Sequence, residues 1–146
     1  MSLKIIFSLL VFTMVFISCT NEGIITNTFT DLDAGSWDEK DTLSFDFEIK
    51  DKNVQYNVFL NLRITNDYKY SNIYLQSFMG TNFEKPIFKR KHLLLATPDG
   101  QWLGKGNGEI ITLQIPLYSE VEFKEETGYR VIFSQEMRDK LLESVI

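Results

Sequence analysis

Apolar and polar residues alternate along much of the chain, with the period of two that is typical of half-buried β-strands. The clearest run places its apolar residues, from Leu43 to Ile49, on one face and polar or charged residues on the other. After a turn at residues 51–53, a second run from Tyr56 to Ile64 alternates in the same way. The two runs predict either a β-hairpin or two strands that lie in opposite sheets of a sandwich.

Four further strands are predicted between turn-forming residues in the rest of the chain. They cover Ile73–Met79, Phe88–Leu95, Ile111–Ile115 and Gly128–Gln135. Pro86 cannot donate a backbone hydrogen bond, so the segment after it is expected at a sheet edge or at a strand start. The alternating glycines at 104–108 favour a loop, and Met137–Ile146 is the one candidate for a short helix.

Strand-like runs therefore recur about every ten to fifteen residues, with little helix between them. This spacing predicts an all-β fold, an antiparallel β-sandwich of about seven strands over residues 31–146. A segment of this length is enough for one domain with its own hydrophobic core. Alternation assigns faces to the strands but not neighbours, so the sheet order stays open.

Residues 1–19 follow a different pattern, which is that of an export signal. Lys4 precedes an apolar run from Ile5 to Ile17, and Ser18 and Cys19 come directly after it. A helix of that length spans about 20 Å, too little for the ~30 Å hydrocarbon core of a bilayer. The pattern predicts a lipoprotein signal peptide over residues 1–18, with cleavage before Cys19 and acylation of that cysteine.

Acyl chains on Cys19 would attach the mature protein to a membrane. We therefore expect a lipid-anchored protein of the cell envelope, held at the outer membrane. Residues 19–30 are polar and have neither helical nor strand period, which predicts a tether between the lipid and the domain. The alternative is an uncleaved anchor followed by a free cysteine.

Composition and charge narrow the classes of partner. Acidic residues outnumber basic ones by 20 to 15, which gives a net charge of −5. The largest basic cluster is Lys89-Arg90-Lys91, which we interpret as the solvated face of one strand. This balance argues against nucleic acid as a partner. Because Cys19 is the only cysteine, the core must stabilise the exported domain without a disulfide.

Few side chains suggest catalysis or metal binding. His92 is the only histidine, and we interpret it as a strand residue with structural partners. A zinc site is not expected from one histidine and no available cysteine. Loop carboxylates leave glycoside hydrolysis open as an alternative: Asp31, Asp33, Asp38, Asp41 and Asp99. The first four of them also leave calcium binding open. We expect no enzymatic activity, no catalytic residue, no metal and no cofactor.

The segment Arg63–Asn72 combines amide, carboxylate and tyrosine side chains around a strand connection. The candidate interaction residues here are Arg63, Asn66, Tyr68, Tyr70 and Asn72, with Tyr74 just beyond them. Such side chains build recognition surfaces, since tyrosine offers apolar area and a polar tip. They can instead fix a loop through side-chain-to-backbone hydrogen bonds. Both interpretations stay open.

Several of these segments follow one another in an order that resembles a known family. They are Trp37, Phe45–Ile49, Tyr56–Arg63, Asn66–Leu75, Pro98–Gly104 with Asp99 and Trp102, Gly106, Gly108 and the pair Met137-Arg138. In this order the chain resembles the gliding motility lipoproteins of GldH type from Bacteroidetes. The resemblance implies a small β-rich envelope lipoprotein that works with the gliding machinery and its associated protein secretion system. It implies no catalytic residues.

The resemblance also marks a difference near the C-terminus. Family members continue past Met137-Arg138 into a glycine-containing final strand, whereas this chain has Leu141–Ile146 there. We expect that final strand to be missing and its neighbour to present an open edge. An open edge favours pairing with another chain.

These observations together predict a non-enzymatic accessory component of the envelope machinery. Its predicted partners are other envelope proteins, which meet a face that carries Tyr68, Tyr70, Tyr74 or Trp102. The alternative function is an envelope lipoprotein that binds carbohydrate or peptidoglycan, with aromatic rings stacked on sugars.

Overall fold

The structure is a computed structural model that describes residues 23–81 and 84–146. The predicted signal peptide over residues 1–18 and the predicted lipid attachment at Cys19 lie outside the described residues. Residues 24–32, in the region predicted as a tether, form neither helix nor strand. A short 3-10 helix at Asp33–Gly35 then leads into the first strand.

Within the described residues the chain forms nine β-strands and no α-helix. The strands are β1 (Ser36–Asp38), β2 (Leu43–Glu48), β3 (Gln55–Thr65), β4 (Asn72–Gly80), β5 (Lys89–Leu94), β6 (Lys105–Asn107), β7 (Ile110–Glu122), β8 (Gly128–Gln135) and β9 (Leu141–Glu143). All strand pairs are antiparallel. The prediction of an all-β antiparallel fold is confirmed.

The strands form two larger sheets and one small one. The larger sheets have the orders β2-β8-β4-β5 and β3-β7-β6, and they are the two layers of a sandwich. β1 and β9 form the third sheet, in which Trp37 lies opposite Leu142. β2 and β3 follow each other along the chain but pair with β8 and β7, so they lie in opposite sheets and not in a hairpin.

The core lies between the two layers and is filled by the apolar positions of the alternating runs. The side chains with no exposed surface include Ile64, Ile73, Leu75, Leu95 and Val145. Two polar contacts cross the core. The hydroxyls of Ser77 on β4 and Tyr118 on β7 are 2.6 Å apart. The Lys91 ammonium on β5 donates to the carbonyl of Leu117 at 3.0 Å. Burial raises the pKa of Tyr118.

The basic run on β5 is only partly a solvated face. Lys91 is half-buried, because its ammonium reaches across the core and lies 4.2 Å from the centre of the Tyr118 ring. Lys89 and Arg90 are exposed, as the sequence predicts. β5 lies at the edge of its sheet, in agreement with the restriction that Pro86 imposes.

The glycine-rich stretch predicted as a loop contains the short strand β6. A tight turn at Gly108 and Glu109 joins β6 to β7, and Gly108 has a φ of 69°. Gly104, just before β6, lies so close to β7 that a Cβ would be 2.5 Å from the carbonyl oxygen of Thr112. The glycines therefore permit a hairpin that the sequence alone did not indicate.

The C-terminal segment differs from the predicted helix. Leu141–Glu143 forms β9 against β1, and Val145 forms a further antiparallel bridge with Ile64. The apolar spacing suits a helix, but the side chains of Leu142 and Val145 are buried in the sandwich. Burial against β1 and β3 outweighs a weak local preference. The prediction of a helix over Met137–Ile146 is wrong.

A buried glutamine organises the connection between β8 and β9. Gln135 is only 3% exposed. Its Nε2 donates to the carbonyls of Asp139 and Lys140, at 3.1 and 3.0 Å. Its Oε1 accepts a hydrogen bond from the Met137 N–H at 2.8 Å. One side chain thus fixes the turn that positions β9.

Candidate functional site

The interaction residues predicted from the sequence occupy different parts of the fold. Tyr68, Tyr70 and Trp102 lie together around the loop between β3 and β4. Asn72 and Tyr74 lie on the outer face of β4, because the alternate residues of that strand are buried. The remaining four join neither group: Trp37, Arg63, Asn66 and Asp99.

The Tyr68 cluster is a packing unit. Tyr68 is 5% exposed, and its ring centre lies 6.0 Å from that of Tyr70 and 6.4 Å from that of Trp102. Its hydroxyl donates to the carbonyl of Asn72 at 3.3 Å. Burial, and to a smaller extent the neighbouring Tyr70, raises the pKa of Tyr68. Tyr68 therefore fixes the loop and has almost no surface to offer a partner.

Tyr70 links this loop to the turn that precedes β9. Its hydroxyl donates to Oδ2 of Asp139 at 2.6 Å. That hydrogen bond is the main reason why the pKa of Tyr70 is raised, since the carboxylate favours the protonated phenol. Gln135 holds the backbone of Asp139, so one connected network joins the loop after β3 to the C-terminal turn.

A stacked group lies on the outer face of β4 and β5. Tyr74 and His92 are paired across the two strands, with ring centres 4.5 Å apart and planes inclined by 14°. The amide Nδ2 of Asn72 lies 2.9 Å from His92 Nε2. Because an amide nitrogen can only donate, this contact assigns Nε2 as the acceptor and places the proton of the neutral ring on Nδ1.

Arg90 completes this group and connects it to Glu136, the residue directly after β8. Its guanidinium carbon lies 4.2 Å from the centre of the Tyr74 ring. Its Nε donates to Glu136 at 2.7 Å, and the other carboxylate oxygen of Glu136 accepts from Gln76 at 2.7 Å. The arginine is thus held in place before any partner binds.

Exposed apolar side chains extend the same surface. Leu94 is 58% exposed and Phe88 is 40% exposed, and the ring centres of Phe88 and Phe78 are 6.1 Å apart. We call the surface formed by these side chains the β4–β5 face: Tyr74, Phe78, Phe88, Arg90, His92 and Leu94. Grouped aromatic, aliphatic and arginine side chains of this kind mark interaction sites on monomer surfaces.

The four isolated residues have local roles. Trp37 is 1% exposed, and its Nε1 donates to the carbonyl of Asp41 at 3.1 Å. Arg63 lies on β3, in the other layer from β4 and β5, and its guanidinium carbon is 5.9 Å from the centre of the Phe29 ring. The backbone N–H of Asn66 donates to the Glu109 carbonyl at 3.0 Å.

Asp99 lies in the turn between Thr97 and Gly100. A hydrogen bond from the Thr97 side chain is the main reason why its pKa is lowered.

Two further observations concern the described residues 23–81 and 84–146. In this part of the chain, no three or more His, Cys, Asp or Glu side chains are grouped so that they could hold a metal ion. The same part contains no helix that is long and apolar enough to cross a membrane.

Sequence reasoning did not identify Arg90, Glu136 and Leu94 as members of the surface around Tyr74. Arg90, His92 and Leu94 alternate along β5, so their common face was visible in the sequence. Their proximity to Tyr74 depends on the pairing of β4 with β5, and that of Glu136 depends on the pairing of β4 with β8.

Comparisons with known proteins agree on one family. The family model of the GldH lipoprotein matches residues 24–146. A gliding motility lipoprotein GldH homolog from Christiangramia forsetii is 27% identical over 128 residues, which cover 88% of this chain and 78% of that protein. Gliding motility lipoprotein GldH from Flavobacterium johnsoniae is 28% identical over 104 residues, which cover 71% of this chain and 64% of that protein. No solved structure matches the chain.

Proposed function

The chain belongs to the GldH lipoprotein family, and from this membership we propose that it is a lipid-anchored envelope protein that serves gliding motility as a non-enzymatic accessory component. The observation that carries the proposal is the family match over residues 24–146, which include every strand of the sandwich. We infer that it acts at the outer membrane, together with the protein secretion system associated with gliding.

The β4–β5 face is the surface best suited to a protein partner. Arg90 and Tyr74 belong to the residue types that dominate binding energy at protein interfaces. Arg90 is already held by Glu136 and stacked on Tyr74. The Arg90 side chain therefore loses little conformational freedom when a partner contacts it. Leu94 adds exposed apolar area at the rim of the group.

The arrangement favours a protein partner over a carbohydrate. Sugar recognition by stacking needs an exposed aromatic ring face. The Tyr74 ring is stacked on His92 and lies under Arg90, and Tyr68 is buried. The ring faces of Tyr74 and Tyr68 are therefore largely covered by the protein itself.

Deletion and complementation in a gliding host strain test the proposal. Deletion should abolish cell movement, and the parent chain should restore it. Leu94→Asp should fail to restore movement although the protein reaches the membrane, because a carboxylate replaces apolar contact area. Ile110→Asp is the matched control, since Ile110 is 41% exposed on the outer face of the other layer.

The outcomes separate the two parts of the proposal. Unchanged movement after deletion contradicts the role in gliding. Restoration by Leu94→Asp to the level of Ile110→Asp contradicts the contact surface alone. A peptidoglycan or glycan pull-down that retains the parent chain would instead support the sugar-binding alternative.

A further inference from the structure

The open strand edges of the sandwich differ in their charge. Among the described residues, the outermost strands of the larger sheets are β2 and β5 in one layer, and β3 and β6 in the other. β5 carries the exposed Lys89 and Arg90, and β2 carries the exposed Asp46 and Glu48. Charges on an edge oppose pairing with a second strand. Two copies that met at either edge would also place like charges opposite each other.

The edge of β3 lacks this protection. From Gln55 to Leu62 the strand has no charged residue. Over the same stretch, its side away from β7 has no backbone partner among residues 23–81 and 84–146. β6 is only three residues long, so β3 is the one extended and uncharged edge in the described part of the chain.

The C-terminal residues define which backbone groups this edge offers. The Ile146 N–H donates to the Arg63 carbonyl, and the Thr65 N–H donates to the Ser144 carbonyl, each at 3.0 Å. Odd-numbered residues of β3 therefore direct their N–H and C=O groups outward, because hydrogen-bonding direction alternates along a strand. Asn57, Phe59 and Asn61 present the same groups, which have no backbone partner within the described ranges.

The side chains of this edge are complementary to a second copy of themselves. Asn57, Phe59 and Asn61 share the outer face, and Phe59 is 49% exposed between two amides. In an antiparallel pair centred on Phe59, that residue meets its counterpart, and Asn57 meets Asn61 of the second copy. Aromatic pairs directly across two strands stabilise the pairing. Oδ1 of Asn57 accepts from the Glu120 N–H and Oδ1 of Asn61 accepts from Gln114, and each amide oxygen keeps a second lone pair for the amide of the other copy.

We propose that two copies of the chain associate through antiparallel pairing of β3 about a twofold axis at Phe59. The two three-stranded sheets then form one continuous sheet, and the interface is isologous. Val58 and Leu60 point between the layers but are only half-buried in one copy, and the second copy provides additional cover for them. The inference is independent of the role in gliding.

Site-specific crosslinking of the full chain in its native membrane tests the geometry. At a hydrogen-bonded antiparallel pair the two Cα atoms are about 5.5 Å apart. Phe59→Cys with a short bis-maleimide should therefore give a covalent dimer. The matched control is Ile110→Cys on β7, the central strand of the same sheet, where exposure is 41% and no dimer is expected. The parent chain, in which Cys19 is the only cysteine, is a second control and shows how much crosslinked product forms through Cys19.

A charge substitution tests the association itself. Phe59→Lys should lower the dimer association constant by about tenfold or more, because like charges directly opposite oppose strand pairing. Ile110→Lys, at an exposed position on the outer face of β7, should leave it unchanged. Sedimentation of each full chain in detergent measures the association. The thermal unfolding midpoint at a dilution where each chain is monomeric shows whether the fold is intact.

Several results would overturn the proposal. They include a chain that is monomeric at all concentrations, a dimer that forms equally well with Phe59→Lys, and crosslinking at position 110 in place of position 59. Species larger than a dimer would point to head-to-tail pairing of the basic and acidic edges, and they would also contradict it.

Discussion

Replacing Gln135 with alanine tests whether one buried amide holds the C-terminal turn and β9 in place. The substitution removes three hydrogen bonds, to the carbonyls of Asp139 and Lys140 and from the Met137 N–H. A net contribution of about 0.5–1.5 kcal/mol for each bond gives a loss of about 2–4 kcal/mol in the free energy of unfolding. The buried groups left without partners place the expected value in the upper half of that range.

Thermal unfolding, followed by the circular dichroism of the β-sheet, measures this loss. For a domain of this size we expect the midpoint to fall by about 6–12 °C, at about 3 °C per kcal/mol. Gln114→Ala is the control, because Gln114 is exposed and makes one long hydrogen bond, at 3.3 Å to Asn61. Its unfolding free energy should change by less than about 0.5 kcal/mol.

The substitution Gln135→Glu separates the hydrogen bonds from simple loss of packing. The glutamate fills the same space and can still accept from Met137, but its carboxylate faces two carbonyl oxygens. Burial and these acceptors should raise the pKa of the new carboxyl. A raised pKa in the folded state means that stability is retained at low pH and lost as pH rises through that pKa. Gln135→Glu should therefore be closer to the parent at pH 5 than at pH 8.

The reasoning is refuted if Gln135→Ala unfolds within about 0.5 kcal/mol of the parent, as the exposed control does. It is also refuted if Gln135→Glu shows the same pH dependence as the parent.

Three other substitutions give independent checks. Gly104→Ala should lower the unfolding free energy by about 1–3 kcal/mol, because the new Cβ would lie 2.5 Å from a carbonyl oxygen of β7. The control is Gly106→Ala, whose new Cβ has its nearest atom at 3.9 Å and should be nearly neutral. Urea titration of both variants measures the difference. Lys91→Met should lower the unfolding free energy by about 1–2 kcal/mol, because it removes a hydrogen bond and a ring contact across the core. Lys89→Met, at an exposed position at the start of the same strand, should leave it nearly unchanged. A hydrogen bond from Arg130 lowers the pKa of Asp46 below its ordinary value of 3.8, so its stabilisation is present above that pH and is lost as pH falls through the folded-state pKa. The stability difference between the parent and Asp46→Asn should thus narrow as pH falls below about 4, and a difference that stays constant there would contradict the ion pair.

Strict alternation was the reliable predictor of strands in this chain. It located β2, β3, β4, β5 and β8, because half-buried strands need apolar residues at every second position. It also found the first part of β7 but not its continuation past Pro116, where the pairing with β3 shifts register and Glu120 has a φ of 53°. A bulged strand loses the period on which the prediction depends.

The three-residue strands could not be predicted from local sequence. β1, β6 and β9 are too short to display a period, and each exists because of a distant partner. The helix over Met137–Ile146 was predicted wrongly for the same reason. Its apolar spacing carries no information about the pairing with β1, and that pairing determines the structure of this segment.

The candidate surface was predictable only in part. Among the candidate residues, Tyr74 lies on an outer face, whereas Trp37 and Tyr68 are buried. Aromatic residues are frequent both in cores and at interfaces, so residue type alone does not separate the two. The position of Arg90 beside Tyr74 follows from sheet order, which alternation does not reveal.

The pairing of β1 with β9 joins the first described strand to the ninth, and this has a consequence for the timing of folding. Trp37 packs in the core, and it lies opposite Leu142 on β9. A polypeptide that emerges N-terminus first, from the ribosome or from a translocation channel, cannot complete this contact until Leu142 has emerged. The domain therefore stays incomplete until then, and this non-local contact closes late, as expected for a slow-folding β topology.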